Sequence, residues 1–188
     1  MRRALALAGA VLAVAAAAPA AQAAERRLFV VGDSLAEGTR PYIPRELSDW
    51  RVRQSTKVSR HASEGGDVLR RYGSSLARVI HVSLGTNDDP RQTAGFRDAV
   101  ADVMDVAGSS RCVVWANIVR PAYRGVSYRG YNRVLADEDE RRDNLLVLNW
   151  VRMVRRHPGW LARDGVHVSA AGYAARAAAV ARLVRRCR

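Results

Sequence analysis

The sequence is short of several kinds of residue, and each shortage excludes a class of protein. Lysine occurs once, as Lys57, among 31 basic residues, so arginine carries the positive charge. Aromatic residues make up only 6% of the chain, and no basic tract is interleaved with them as in proteins that bind single-stranded nucleic acid. No stretch after residue 24 is apolar enough to span a membrane. The sequence therefore predicts neither a nucleic-acid-binding protein nor a stable membrane insertion of the main domain.

The first 24 residues differ in composition from the rest. A positively charged start precedes an uncharged run of alanine, leucine and valine over residues 5–18, and Ala-Gln-Ala at 21–23 forms a small-x-small cleavage site. This layout predicts a signal peptide over 1–24 and a secreted or cell-envelope protein whose single domain covers 25–188. The alternative is an amino-terminal anchor helix, for which the run is short and is interrupted at Pro19.

Cysteine is also scarce, since Cys112 and Cys187 are the only two. No spacing of cysteine and histidine resembles a zinc site. An even number of cysteines in an exported protein favours a disulfide. The bridge would clip the last helix to a central strand and stabilise the fold by ~2–4 kcal/mol. The alternative is two separate buried thiols.

The formal net charge of +13 at pH 7 is the most unusual feature of the composition. A positive field of this size favours anionic partners such as teichoic-acid-like polymers, acidic glycans or nucleic acid. The arginines are nevertheless scattered along the sequence, apart from pairs such as Arg70-Arg71. Their excess over lysine is also what the codon bias of a GC-rich genome produces. The charge alone therefore assigns no partner.

With 188 residues, 48% of them hydrophobic and 26% charged, the chain is long enough for one domain with a substantial core. Short apolar runs alternate with stretches of helical periodicity from residue 28 onward. Strands are predicted at 28–31, 51–59, 79–84, 112–118 and 145–148, and helices at 45–50, 68–75, 92–107, 131–142, 150–156 and after Ser169. This alternation predicts an α/β fold, with a parallel sheet of about five strands and helices on both faces.

Three polar blocks occupy the positions where such a fold places ligands. Gly32-Asp33-Ser34-Leu35 ends the first strand, Gly85-Thr86-Asn87-Asp88 follows the third, and Asp164-Gly165-Val166-His167 precedes the last helix. In an open parallel sheet, ligands bind at the carboxyl ends of the strands. A serine becomes a nucleophile only beside a histidine base, with a group that orients this histidine and donors for the oxyanion. The three blocks supply candidates for each of these parts.

Ser34 is the candidate nucleophile, and a helix N-cap is the alternative interpretation of this residue. His167 is the candidate general base, because Asp164 lies three residues earlier and can hold the imidazole in the correct tautomer. The alternative for Asp164 is a plain Asp-Gly turn. Of the other histidines, His61 is the main rival because its loop can face the site, whereas His81 lies in the middle of a strand and is expected to be packed.

Together the three blocks resemble those of the SGNH (GDSL-type) hydrolases, and they span most of the chain after residue 28. The resemblance implies a three-layer flavodoxin-like fold, a triad of Ser34, His167 and Asp164, and no metal or organic cofactor. It also implies an oxyanion hole formed by the Ser34 N–H and the Asn87 side chain, although Asn87 could instead form an Asx-turn after its strand. The family's third donor is a glycine N–H after the second strand. Here Gly66 is the candidate, with Arg60 or Ser63 as alternatives, because the spacing departs from the family pattern.

The expected function is that of an exported serine esterase acting on a small-molecule or polymeric ester. The favoured substrate is a short-chain O-acyl ester of a carbohydrate or cell-envelope glycan, because the second block, the strand at 113–117 and the last block resemble SGNH domains associated with bacterial cell-envelope O-acetylation. Two alternatives stay open: an O-acyltransferase that uses the same triad, and a non-catalytic wall-binding module with the same fold. The loop at 120–130 is expected to shape the cleft, with Tyr123 and Tyr128 either stacking on a sugar or packed.

Overall fold

The computed structural model describes residues 25–187, so the predicted signal peptide over 1–24 lies outside the described residues. Five strands form one parallel sheet in the order β2-β1-β3-β4-β5. The strands are β1 (Arg27–Gly32), β2 (Arg51–Thr56), β3 (Val79–Ser83), β4 (Cys112–Ala116) and β5 (Leu145–Leu148). The helices are α1 (Ser34–Thr39), α2 (Ile43–Glu46), α3 (Gly65–Arg70), α4 (Thr93–Ala107), α5 (Arg129–Arg141), α6 (Trp150–Arg156) and α7 (Ala170–Val184). None of the helices described is long and apolar enough to cross a bilayer.

The sheet separates two apolar layers, which confirms the predicted three-layer α/β architecture. On one face, side chains such as Phe29, Ile80 and Trp115 pack against α3, α4 and α5. On the other face, side chains such as Val30 and Val114 pack against α2, α6 and α7. The sequence of a strand that is buried on both faces is a continuous apolar run. The strands β1 and β3 could therefore be predicted from the sequence.

The segment between β2 and β3 departs from the prediction. A 3₁₀ turn at Ala62–Glu64 runs directly into α3, so α3 begins at Gly65 and not at residue 68, where the helix was predicted. The Glu64 carboxylate accepts a hydrogen bond from the His61 N–H at 3.0 Å and so starts this turn. Asp67 therefore lies inside α3.

The predicted disulfide between Cys112 and Cys187 is present and joins the first residue of β4 to the segment after α7. The two cysteines are 75 residues apart in the sequence. A covalent loop of this length restricts the unfolded chain strongly, because closing it otherwise costs roughly 4 kcal/mol of conformational free energy.

We expect reduction of this disulfide to lower the free energy of unfolding by about 4 kcal/mol. Urea denaturation with and without dithiothreitol measures the difference. The Cys112→Ala/Cys187→Ala variant serves as the control, because its unfolding should not respond to dithiothreitol. Equal unfolding midpoints for the oxidised and the reduced protein would contradict the expectation.

Candidate active site

Ser34 follows the carboxyl end of the interior strand β1, as the first residue of α1. The N-cap of this helix is Asp33, whose carboxylate accepts a hydrogen bond from the Leu35 N–H at 2.9 Å. The Asp33 N–H in turn donates to the Ser83 carbonyl of β3 at 3.1 Å. Since Asp33 serves as the cap, the Ser34 hydroxyl is available for another partner, and the N-cap interpretation of Ser34 is wrong.

Gly32 allows the turn between β1 and α1 to be this tight. A Cβ atom at this position would lie 2.3 Å from the Ala36 Cβ and 3.0 Å from the Ser83 carbonyl oxygen. Any side chain would therefore push α1 away from the sheet. The turn places the Ser34 N–H in the first turn of a helix, where N–H groups have no acceptor within the helix itself.

The loop before α7 brings a histidine and an aspartate to Ser34. The His167 Nε2 atom lies 3.0 Å from the Ser34 Oγ atom, and the His167 Nδ1 atom lies 2.6 Å from Asp164 Oδ2. The other oxygen of Asp164 accepts the N–H groups of Val166 at 2.9 Å and His167 at 3.0 Å. Residues 133 positions apart in the sequence therefore meet at one edge of the sheet, as the sequence blocks predict.

The electrostatics of this loop fix the roles that its groups can take. The hydrogen bond from His167, followed by those from the two backbone N–H groups, lowers the pKa of Asp164 to about 2. An ionised carboxylate at Nδ1 holds the proton of a neutral imidazole on that nitrogen. The unprotonated Nε2 then faces the Ser34 hydroxyl and can accept its proton.

The other histidines lie in different surroundings. The His61 ring faces Asp88, with 3.3 Å between Nδ1 and Oδ1. The His81 side chain is fully buried and hydrogen-bonds through Nδ1 to the Val114 carbonyl at 2.9 Å, which confirms that it is packed. His157 stacks on Trp160. Of the four histidines, His167 is the one within hydrogen-bond distance of Ser34.

Asn87 reaches the same site from the loop after β3. Its Nδ2 atom lies 3.3 Å from Asp33 Oδ2 and 3.4 Å from the Arg60 carbonyl oxygen. Both contacts are long, so they orient the amide without using its full capacity to donate. The residue that caps α1 therefore also positions the candidate oxyanion donor.

A pocket of about 320 Å³ opens in front of these groups. Its lining consists of the three blocks and the loop after β4: Ser34, Asn87, Arg120, Pro121, Ala122, Tyr123, Asp164, Val166 and His167. Tyr123 is 40% exposed at its rim. Tyr128 is buried instead and donates its hydroxyl to the Asp88 carbonyl at 2.9 Å, so the packed interpretation holds for Tyr128.

Several solved proteins with the same architecture are named as esterases, lipases or acyltransferases. The sequence matches no family model and no curated protein. The catalytic domain of peptidoglycan O-acetyltransferase A from Streptococcus pneumoniae superposes with a TM-score of 0.72 at 14% identity, over 87% of this chain and 97% of that domain. A GDSL-like lipase from Bacteroides thetaiotaomicron gives 0.67 at 12% identity, over 86% and 88%. This chain has the fold of the GDSL-type (SGNH) hydrolases.

A family 3 carbohydrate esterase from Clostridium thermocellum has the same GDSL-type fold, with a TM-score of 0.65 at 14% identity over 86% of this chain and 98% of the esterase. At these identities the likeness concerns the fold. It agrees with the resemblance drawn from the three sequence blocks, including the resemblance to domains linked to O-acetylation.

Gly66, Arg60 and Ser63, the three candidates for a third oxyanion donor, do not line the pocket around Ser34. Gly66 is buried in α3 with its α-carbon facing Asp102 of α4, and it does not line the pocket around Ser34. The Arg60 N–H already donates to the Lys57 carbonyl at 3.1 Å. Ser63 is exposed within the 3₁₀ turn. Of the oxyanion donors predicted from the sequence, those of Ser34 and Asn87 are the ones whose residues line the pocket.

Sequence reasoning missed a buried cation beneath the site of this GDSL-type fold. Arg176 of α7 is 2% exposed, donates to the Ser83 hydroxyl at 3.1 Å, and lies 4.9 Å from the centre of the Trp150 ring. Burial raises the pKa of the Asp33 carboxyl, and the positive charge of Arg176 acts in the opposite direction. Burial also lowers the pKa of Arg176, to about 10, so the guanidinium is still charged at neutral pH.

The periodicity of α7 contained a signal for this cation. The apolar face of α7 that contains Tyr173, Ala177 and Val180 also includes position 176, because residues three and four apart lie on one side of a helix. An arginine on that face was therefore a candidate buried charge. Within residues 25–187, its Nε and Nη1 atoms have no hydrogen-bond partner, and neither do His81 Nε2 and Trp150 Nε1.

The burial of His81 predicts a dependence of stability on pH. Desolvation lowers the pKa of His81 from 6.5 to about 4 in the folded chain. Between these two pH values the unfolded chain binds more protons than the folded chain. We therefore expect the free energy of unfolding to fall by up to ~3 kcal/mol as the pH is lowered through this range.

Urea denaturation at several pH values measures this dependence. The variant His81→Gln should show a flatter profile between pH 6.5 and 4. The matched variant His157→Gln, at an exposed histidine, should keep the slope of the parent. If the His81→Gln profile matches that of the parent, the acid sensitivity has another source.

Proposed function

We propose that this protein is a serine esterase that hydrolyses O-acyl esters through an acyl-enzyme. One observation carries the proposal: His167 lies between the Ser34 hydroxyl and the Asp164 carboxylate, at 3.0 Å and 2.6 Å. This is the geometry that a general base needs to activate a serine. The pocket in front of Ser34 gives an ester room to approach.

The reaction takes place in two halves. Ser34 Oγ attacks the ester carbonyl while His167 Nε2 takes the hydroxyl proton, and the imidazolium gives this proton to the leaving alcohol. A water then attacks the acyl-Ser34 carbonyl while its proton passes to Nε2, and this proton returns to Ser34 Oγ as the acid is released. Asp164 stays ionised throughout and stabilises the imidazolium, which is consistent with its low pKa.

The negative oxygen of each tetrahedral intermediate needs donors that are in place beforehand. The Ser34 N–H at the start of α1 and the Asn87 amide supply two. In this proposal the Asn87 amide turns partly away from its long contacts with Asp33 and Arg60 as the oxyanion forms. Preorganised donors of this kind are among the largest contributions to acyl-transfer catalysis.

The substrate proposed is a short-chain ester, such as an acetyl ester, of a carbohydrate or cell-envelope glycan, reached by export through the amino-terminal signal. The pocket is modest in volume and is bordered by Arg120 and the exposed Tyr123. An aromatic rim suits a sugar ring better than a long acyl chain. Two proteins of the same fold are named for acetyl transfer to peptidoglycan and for carbohydrate ester hydrolysis, which supports the same substrate class.

An O-acyltransferase is the second candidate, because a sugar hydroxyl can replace water in the second half of the reaction. The acetyltransferase domain of the same fold is the observation that favours it. Incubation with an activated acetyl ester and a soluble glycan, followed by product analysis, separates the two. Free acetate in excess over acetylated glycan indicates the hydrolase.

Reaction with a fluorophosphonate probe tests the proposal against a wall-binding module without activity. We expect one phosphonyl group on the Ser34 peptide by mass spectrometry, and no labelling after heat denaturation. An unlabelled native protein, or labelling that survives denaturation, would contradict an activated serine and favour the binding module.

Replacing Asn87 with alanine should lower kcat for 4-nitrophenyl acetate by roughly 10²–10³ with little change in KM, because an oxyanion donor acts mainly in the transition state. Steady-state kinetics measures both constants. The urea midpoint reports whether the loss of the contacts with Asp33 and Arg60 has disturbed the fold. A rise in KM at constant kcat would assign Asn87 to ground-state binding instead.

A further inference from the structure

The parallel topology gathers arginines that are scattered in the sequence. An arginine stands at or directly before the first residue of four adjacent strands: Arg51 at β2, Arg26 and Arg27 at β1, Arg78 before β3 and Arg111 before β4. All of these strands run in the same direction, so the arginines form a row along the amino-terminal edge of the sheet. Neighbouring strands are about 4.8 Å apart, which sets the spacing of the row.

Three adjoining clefts run under this row, and we call them together the basic groove. The first and second clefts, of about 430 and 660 Å³, share Glu25 and Arg27. The second and third, of about 660 and 200 Å³, share Arg111 and Cys187. The basic groove thus crosses the sheet from β2 to β5, a distance of about 19 Å. Arg53 lines its first cleft, and Arg186 lines its third.

Positive charge is in clear excess in the basic groove. Its carboxylates are Glu25 and Asp143, against seven arginines. Within the described part of the chain, two of these arginines form ion pairs, Arg26 with Asp49 and Arg51 with Glu25, and the other five form none. Some of the five donate to backbone carbonyls, which holds their side chains in place without neutralising them.

We propose that the basic groove binds a linear polymer of phosphodiester groups. Guanidinium groups match phosphate oxygens in pairs, and a row of closely spaced arginines suits a chain that carries one charge on every repeat. The groove is concave and extended, which suits a polymer strand better than a flat bilayer. The large apolar residues that are well exposed in the described chain, Val58, Tyr123 and Val126, do not line the groove, so nothing there would insert into a membrane.

Nucleic acid fits the basic groove less well than a polymer without bases. Proteins that hold single strands stack successive bases on exposed aromatic side chains. The aromatic residues in the groove are Phe29, which is buried, and Trp50, which is only partly exposed. A sugar- or polyol-phosphate polymer needs no such platform.

The basic groove lies at the opposite end of the sheet from Ser34. The six residues of β1 separate the two ends by about 20 Å. A polymer held in the groove therefore leaves the pocket around Ser34 open and anchors the protein with that pocket facing away. This inference does not depend on the esterase activity.

Binding of fluorescently labelled polyglycerol phosphate to the full chain, measured by anisotropy at several salt concentrations, tests the proposal. The variant Arg53→Gln/Arg78→Gln/Arg186→Gln removes one charge from each cleft. The control Arg133→Gln/Arg152→Gln/Arg182→Gln removes the same charge at exposed positions outside the groove. We expect the groove variant to bind at least about tenfold more weakly, with a dependence of log Kd on log salt that is shallower by about two, and the control to bind like the parent.

Equal weakening in both triple variants would show that bulk charge alone attracts the polymer, and it would overturn the proposal. Tighter binding to oligothymidylate, to hyaluronan or to vesicles of phosphatidylglycerol than to polyglycerol phosphate would also overturn it, because the occupant would then be a different polymer or a membrane. Hydrolysis of 4-nitrophenyl acetate by the groove variant should equal that of the parent. This readout keeps a failure of the groove distinct from a failure of the proposed esterase activity.

Discussion

Replacing Ser34 with alanine is expected to lower kcat/KM for 4-nitrophenyl acetate by roughly 10⁴-fold or more. The variant keeps His167 and Asp164 in place but has no atom that can form the acyl-enzyme. Losing the nucleophile of such a relay typically costs nearly as much as losing the whole relay, because the groups act as a unit. Stopped assays with enzyme at micromolar concentration measure rates over this range.

The matched control is Ser48→Ala, at an exposed serine between α2 and β2. It should keep the activity of the parent. Both variants should unfold at the parent's urea midpoint, since the Ser34 hydroxyl neither caps α1 nor fills a core position. Turnover in Ser34→Ala within a few-fold of the parent would remove Ser34 from the mechanism and the proposed acyl-enzyme with it.

Replacing Arg176 with methionine is expected to destabilise the fold by about 1–3 kcal/mol, the range found when one partner of a buried hydrogen bond is removed. Methionine fills much of the same space but removes the buried positive charge that favours the ionised form of Asp33. The Ser83 hydroxyl and the Trp150 ring lose their contacts with the guanidinium as well. Urea denaturation at pH 7 measures the change.

The exposed Arg182→Met on the same helix is the control, and it should cost less than about 0.5 kcal/mol. Combining Arg176→Met with Asp33→Asn tests the cause, because a neutral amide needs no cation. The double variant should lose less stability than the sum of the two single variants. Strict additivity would assign the effect of Arg176 to packing alone.

The parts of this protein that could be predicted from the sequence are those that depend on neighbours in the chain. The apolar runs of β1 and β3 identify buried parallel strands without any tertiary knowledge. The Ser34 and His167 blocks could be placed together because parallel strands share a carboxyl edge. The Asp164 turn is local, since its carboxylate binds N–H groups two and three residues later.

The features that were missed depend on residues distant in sequence. The role of Arg176 as a buried cation depends on Ser83 and Asp33, which come near its side chain only in the folded chain. The early start of α3 follows from the turn at Ala62–Glu64, whose Ala62 N–H binds the distant Asp88 carboxylate. The basic groove could not be predicted from the sequence, because its arginines become neighbours only through the order of the strands in the sheet.

The bridge between Cys112 and Cys187 has a consequence for how the protein must be produced. Helix α7 runs from the His167 loop at its first turn to Cys187 just beyond its last. Synthesis in a reducing cytoplasm leaves the far end of this helix held by non-covalent contacts alone, such as the hydrogen bond from the Arg185 side chain to the Glu46 carbonyl, and chain ends that are not tied down are preferred sites of proteolysis. We expect such material to be trimmed from its carboxyl terminus by proteases, whereas protein folded in an oxidising compartment resists the same digestion.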